Sequence, residues 1–121
     1  MGEIATSEKQ ITLLYNGNSV RAKQVLAYAK TEGLKLQKFD ILKNIPTGTQ
    51  LIELARRLEI EVADLVNQEH PAYNAKFRHH DLSDEDWVKM IRKNPEIMKQ
   101  PIAIHGERTI LIESPVEIMK I

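Results

Sequence analysis

The stretch from Gln10 to Phe39 constrains the fold more than any other part of this chain, because it reads as strand, helix and strand joined by short links. Gln10 to Tyr15 (QITLLY) is short and apolar and is stopped by Asn16-Gly17-Asn18, the pattern of a buried strand ending in a turn. From Ser19 onward, Ala22, Val25, Leu26 and Ala29 fall at i, i+3, i+4 and i+7, which is one helix face. Gly33 stands where a left-handed C-terminal cap is expected. Leu34 and Leu36 then alternate toward Phe39 before Asp40-Ile41. This is a βαβ unit, so the two strands are expected to be parallel, with a right-handed crossover.

The middle of the chain reads as helical. Pro46-Thr47-Gly48-Thr49 offers caps, and Leu51, Leu54, Ala55 and Leu58 form a second apolar stripe. Glu61 to Val66 supplies another turn or two with Val62, Leu65 and Val66 inward, and His70-Pro71-Ala72-Tyr73 breaks it. Ser83 opens a helix, with Asp86 in the place of the usual Glu or Gln of a capping box and Trp87, Val88 and Ile91 facing inward. Asn94-Pro95 ends that helix, and one more turn carries Ile97 and Met98. Ile102 to His105, a tight turn at Gly106-Glu107 and Thr109 to Ile112 read as a β-hairpin. Ser114-Pro115 opens a last helix, with proline at the tolerated first position.

The order is therefore β-α-β, a helical insert over about residues 46–99, then β-β-α. A single domain over 10–121 is expected, with residues 1–9, polar and without a period, as a flexible end. At 121 residues the chain is long enough to bury roughly two-thirds of its unfolded surface. Hydrophobic residues make up 42%, too many for a disordered chain. Seventeen basic residues balance seventeen acidic ones, so no long-range field draws nucleic acid or an anionic membrane. No apolar run approaches a transmembrane length and no basic-then-apolar leader is present, which leads us to expect a cytoplasmic protein without a membrane partner. The absence of cysteine excludes disulfides and thiolate metal sites.

At this point the chain resembles a known family. LSDEDW (Leu82 to Trp87), NPEIMKQPIAI (Asn94 to Ile104), a hairpin ending in ESPVEIM (Glu113 to Met119), and PTGTQLIELARRLEI followed by Asp64-Leu65-Val66 are together similar, in order and spacing, to the glutaredoxin-coupled arsenate reductases and their Spx-type regulator relatives. The resemblance spans about Gln10 to Ile121. It implies an α/β, thioredoxin-like (glutaredoxin-like) fold with a mixed four-stranded sheet. It also implies that the Gln100–Pro101 bond is cis, since the proline opening this strand in such folds borders the active-site loop. An X–Pro bond is trans by default, so this is a specific expectation.

The family's functional residues do not carry over. Its loop of the form Asn-Pro-x-Cys corresponds to Asn16, Gly17, Asn18 and Ser19, so glycine replaces the proline and serine the cysteine. Its first arginine falls in Asn67-Gln68-Glu69-His70-Pro71-Ala72-Tyr73, with Asn67 as occupant; its second becomes Gln100 and its third Glu113. A thiol at a helix N-terminus ionises readily and only the thiolate attacks. A serine hydroxyl stays protonated near neutral pH unless a base removes its proton, and the sequence nominates none. Oxyanions are commonly clamped by bidentate arginines, whereas a carboxylate at Glu113 repels them.

The resemblance therefore implies a protein inactive in cysteine-based arsenate reduction that acts by binding or regulation, through a protein partner on the inserted helices, as the Spx-type relatives do on RNA polymerase. The alternative is an oxidoreductase- or transferase-like protein that holds glutathione or another small thiol at Asn16, Gly17, Asn18, Ser19, Gln100 and Pro101. A third is an unrelated α/β domain of similar layout. No catalytic residue is assigned, and no cofactor or metal is implied beyond glutathione. Ser19 is read first as a helix cap. His79-His80-Asp81, with His70 nearby, lacks the i, i+4 spacing that aims two rings at one ion. His105 is an ordinary strand or turn position. Lys35, Lys38, Lys43, Arg56 and Arg57 are interleaved with acids in a chain of only six aromatics, which favours solvated faces over a nucleic-acid strip.

Overall fold

A computed structural model describes residues 10–67 and 82–121. They fall into two compact units, one formed by Pro46–Lys99 and the other by the described residues up to Ile45 together with Gln100–Ile121.

The second unit holds the sheet. Strand β1 (Ile11–Tyr15) is followed by helix α1 (Val20–Thr31) and strand β2 (Leu36–Asp40); β3 (Ile102–His105) and β4 (Arg108–Leu111) return near the C-terminal end. The strand order is β2-β1-β3-β4. β1 runs parallel to β2, with Leu13 opposite Lys38, and antiparallel to β3, with Leu13 opposite Ala103. This is the mixed four-stranded sheet that the resemblance implied. Helix α1 ends as expected: Gly33 adopts φ +71, the Gly33 N–H bonds Lys30 O, and the Leu34 N–H reaches back to Ala29 O.

Alternation along β1 sends Ile11 and Leu13 to one sheet face, where they join Ala103, Val25, Ala29, Ile112, Ile118 and Ile121 in one buried cluster. Full burial of side chains such as Leu13 and Val25 contributes roughly 1.5–3 kcal/mol each. Thr12, Leu14, Ile102 and Ile104, on the opposite face, are buried as well.

Several details differ from the sequence reading; β2 begins at Leu36 rather than Leu34, and β4 ends at Leu111 rather than Ile112. Strand β4 begins at Arg108 rather than Thr109, because Gly106 at φ +63 lets Gly106-Glu107 turn tightly enough for His105 to pair directly with Arg108. The last helix is a 3₁₀ segment, Pro115–Lys120. At three residues per turn, Ile118 and Ile121 share a face with Pro115, and both are buried.

The other unit is built on α2 (Gly48–Leu58) and α3 (Asp84–Lys93). Both have capping boxes: Thr47 with Gln50, and Ser83 with Asp86 despite the shorter acid. Leu51, Leu54 and Ala55 on α2 and Trp87, Val88 and Ile91 on α3 are buried, as their spacing required. Two 3₁₀ turns, Val62–Leu65 and Pro95–Ile97, are laced by Asn67 N–H to Ile97 O (2.7 Å) and Lys99 N–H to Leu65 O (2.7 Å) around an antiparallel bridge between Val66 and Met98.

Candidate functional site

Strand β1 delivers the chain into the loop Asn16-Gly17-Asn18-Ser19, and each backbone N–H in that loop has an acceptor. The Asn16 N–H donates to the side-chain Oε1 of Gln100 at 3.1 Å. The Gly17 N–H donates to Asp40 Oδ1 at 3.2 Å, the Asn18 N–H to Asn16 Oδ1 at 2.8 Å, and the Ser19 N–H to Asn16 O at 3.0 Å. Ser19 is the N-cap of α1: its backbone is extended, and its Oγ accepts the Ala22 N–H at 3.2 Å.

Gln100, at the point where the family resemblance places an arginine, thus spends its carbonyl oxygen on the loop. It precedes a cis bond to Pro101, as expected, and Pro101 is buried at the opening of β3. Asn16 and Gln100 are 84 residues apart in sequence and are brought together here.

Asp40 is the member of this cluster that the sequence reading missed. Its Oδ1 accepts from Gly17 and also from the Leu42 N–H at 2.9 Å. The approach is so close that a Cβ on residue 17 would overlap the carboxylate, and the nearest atoms it would meet all belong to Asp40. Parallel register supplied the missing signal. Tyr15, which leads into the loop, lies opposite Asp40, so the acid at the end of β2 had to stand beside the Asn-Gly turn.

Glu113 is exposed, and its backbone N–H, with that of Ser114, donates to Glu117 Oε1 (2.6 and 2.8 Å). Those bonds, the one from Ser114 first, hold the Glu117 carboxyl below the ordinary carboxylate range, with Lys120 and Arg21 adding a smaller pull. Asn67 belongs to the other unit, where its N–H is committed to Ile97 O.

The remaining candidates are quickly placed. His70, His79, His80 and Asp81 lie outside the described residues, and among the described residues no group of three or more His, Asp or Glu gathers to hold a metal. His105 Nδ1 lies 3.0 Å from Ile121 O. Arg56 and Arg57 both engage Glu53, which Arg56 chiefly holds below its usual carboxylate range. Lys35, Lys38 and Lys43 are exposed. No helix among the described residues is long and apolar enough to cross a membrane.

Solved structures identify the architecture. An arsenate reductase from Vibrio cholerae superposes with a TM-score of 0.82, covering 93% of this chain and 98% of its own, at 18% identity. This chain has the arsenate-reductase fold. An arsenate reductase-related protein from Brucella melitensis superposes with a TM-score of 0.74 at 11% identity, covering 96% and 97% of the two chains. A Staphylococcus aureus protein does so at 0.70 and 19%, covering 89% and 96%. No family model matches the sequence, and no curated protein matches it either. The fold is thus shared with these solved structures at 11 to 19% sequence identity.

Proposed function

We propose that this chain is an arsenate-reductase-like protein that carries out no cysteine-based reduction and acts instead by binding, in a regulatory role, with a protein partner engaged through the helices of residues 46–99. One observation carries the first half of this reading: the loop's four consecutive N–H groups, Asn16 to Ser19, are each occupied by an acceptor of the protein itself. A loop that holds an oxyanion must present free donors to it. Here one donor faces the Asp40 carboxylate, so an incoming arsenate meets a resident anion. The only hydroxyl on the loop, that of Ser19, accepts a helix N–H, and the chain has no thiol. Gln100 and Glu113 supply no cation where the family resemblance places two. The partner surface rests on the resemblance to the Spx-type regulators.

The test is direct. Purified protein with arsenate, glutathione and glutaredoxin is expected to give no arsenite above the protein-free rate. Repeated turnover refutes the reading. A parallel titration with glutathione is expected to leave the amide resonances of Asn16 to Val20 and those flanking Pro101 unmoved. Saturable shifts confined there replace the reading with a small-thiol-binding one.

A further inference from the structure

We infer that the free edge of β2 is a docking site for an extended acidic segment of another protein, added as a fifth strand. It rests on none of the loop residues used above and involves a different surface from the helices of residues 46–99, so each reading survives failure of the other.

The register of the sheet decides which backbone groups are on offer. The Ile11 N–H bonds Lys35 O, and the Ile41 N–H bonds Tyr15 O, so the odd-numbered residues from 35 to 41 turn their amides toward β1. Leu36 and Lys38 therefore point their N–H and C=O groups outward. β2 is an end strand of the four, and no hydrogen bond engages those groups among the described residues. A bare edge of this kind is a template for another strand.

Leu36 and Lys38 also line a groove of about 500 Å³ between the strand edge and the C-terminal half of α1. Its floor is apolar, from the half-buried Leu26, Leu34 and Leu36, and its rim carries Lys30 and Lys38. No carboxylate lines it, and neither lysine has an ion-pair partner among the described residues. Strand side chains alternate, so an added strand directs one set of residues onto that floor and into reach of the two ammonium groups. Apolar and acidic residues on that set satisfy both.

The lysines also exclude a competitor. Edge lysines disfavour pairing with a second copy of the same edge, because like charges meet across the new ladder. An acidic strand meets the opposite condition: the feature that blocks self-association selects the partner's charge.

The experiment uses the full chain, isotope-labelled, and two synthetic peptides of about ten residues. One repeats valine-serine-glutamate-serine and the other valine-serine-lysine-serine, so that valine and the charged residue alternate along a single face of the strand. The acidic peptide is expected to shift the Leu36 and Lys38 amide resonances and slow their hydrogen exchange, and the basic peptide to do neither. A Lys30→Glu/Lys38→Glu variant, changed only at solvent-exposed side chains, is expected to bind the acidic peptide at least about tenfold more weakly. N-methylating the acidic peptide along its bonding edge is expected to abolish binding with the protein unaltered. Absence of binding by the acidic peptide, equal binding of both peptides, or indifference to N-methylation overturns the inference. So do β2 shifts that follow protein concentration without peptide, which assign the edge to a second copy.

Discussion

Replacing Gly17 with alanine tests the geometry of the loop at its tightest point. The added Cβ has no room beside the Asp40 carboxylate, and Asp40 supplies its nearest neighbours. Gly17 is not among the glycines with positive φ, so the backbone itself admits alanine, and the conflict is one of space alone. To make room Asp40 must swing away, giving up the N–H groups of Gly17 (3.2 Å) and Leu42 (2.9 Å). A hydrogen bond to a charged acceptor contributes roughly 1.5–3 kcal/mol when intact, and these half-buried donors recover part of that from water. Alanine returns roughly 0.4–1 kcal/mol by restricting the unfolded chain. The net cost is expected to be about 1–2 kcal/mol.

The sign reverses once the obstacle is removed. In an Asp40→Ala background the same Gly17→Ala change no longer meets the carboxylate and is expected to stabilise by roughly 0.5 kcal/mol, giving a coupling of about 2 kcal/mol across the cycle. Urea denaturation of the four proteins should be followed by far-ultraviolet circular dichroism and by Trp87 fluorescence, since Trp87 reports on the helical unit and the loop lies in the other. Coincident transitions license a single free energy. Equal costs in the two backgrounds refute the account, because they put the clash somewhere other than Asp40.

Three further substitutions probe the site. Ser19→Ala removes the acceptor for the Ala22 N–H and is expected to cost about 1 kcal/mol in urea denaturation, against a few tenths for Ser19→Gly. Ser19→Cys places a thiol at the tip of α1 and is expected to titrate below the ordinary cysteine range when followed by thiolate absorbance, while arsenate reduction stays at background; efficient reduction by this single variant refutes the weight given to the occupied donors and the missing arginines. Glu117→Gln is expected to lower thermal stability at neutral pH. The folded carboxyl is depressed below its unfolded value, so its contribution is present above about pH 4 and fades as pH falls through the folded value; the gap between wild type and variant must close in acid, and a gap that persists there refutes the assignment.

What the sequence disclosed and what it withheld divide along the range of the interactions. Caps are local, so Ser83 with Asp86 and Gly33 after α1 were legible from a few residues of context. Parallel pairing of β1 and β2 followed from the short links around one helix. The Val66–Met98 bridge had no such signal, because isolated residues far apart in the chain form it without a strand period on either side. The 3₁₀ character of the last segment was written in the equal spacing of Pro115, Ile118 and Ile121, but a proline-led apolar turn reads equally well as α. At the site, the identities of Ser19 and Gln100 were legible, whereas their employment was not. That Gln100 binds the Asn16 N–H depends on a chain reversal that only the folded sheet supplies.

The occupied loop shows how a turn at a helix N-terminus satisfies its own donors. A helix N-terminus and the turn leading into it leave donors that must be satisfied by something, whether ligand, water or side chain. An oxyanion site leaves them open and accepts the cost in stability until substrate arrives. In this chain Gln100, Asp40 and Asn16 accept the four N–H groups of the turn, and Ser19 accepts that of Ala22. The closures draw on three separated segments: the loop, the end of β2 and the start of β3. No single substitution among them therefore frees all four N–H groups of the turn. A thiol at residue 19 still faces a loop whose four N–H groups are taken and whose neighbour at residue 40 is a carboxylate, so the Ser19→Cys change alone leaves those hydrogen bonds in place.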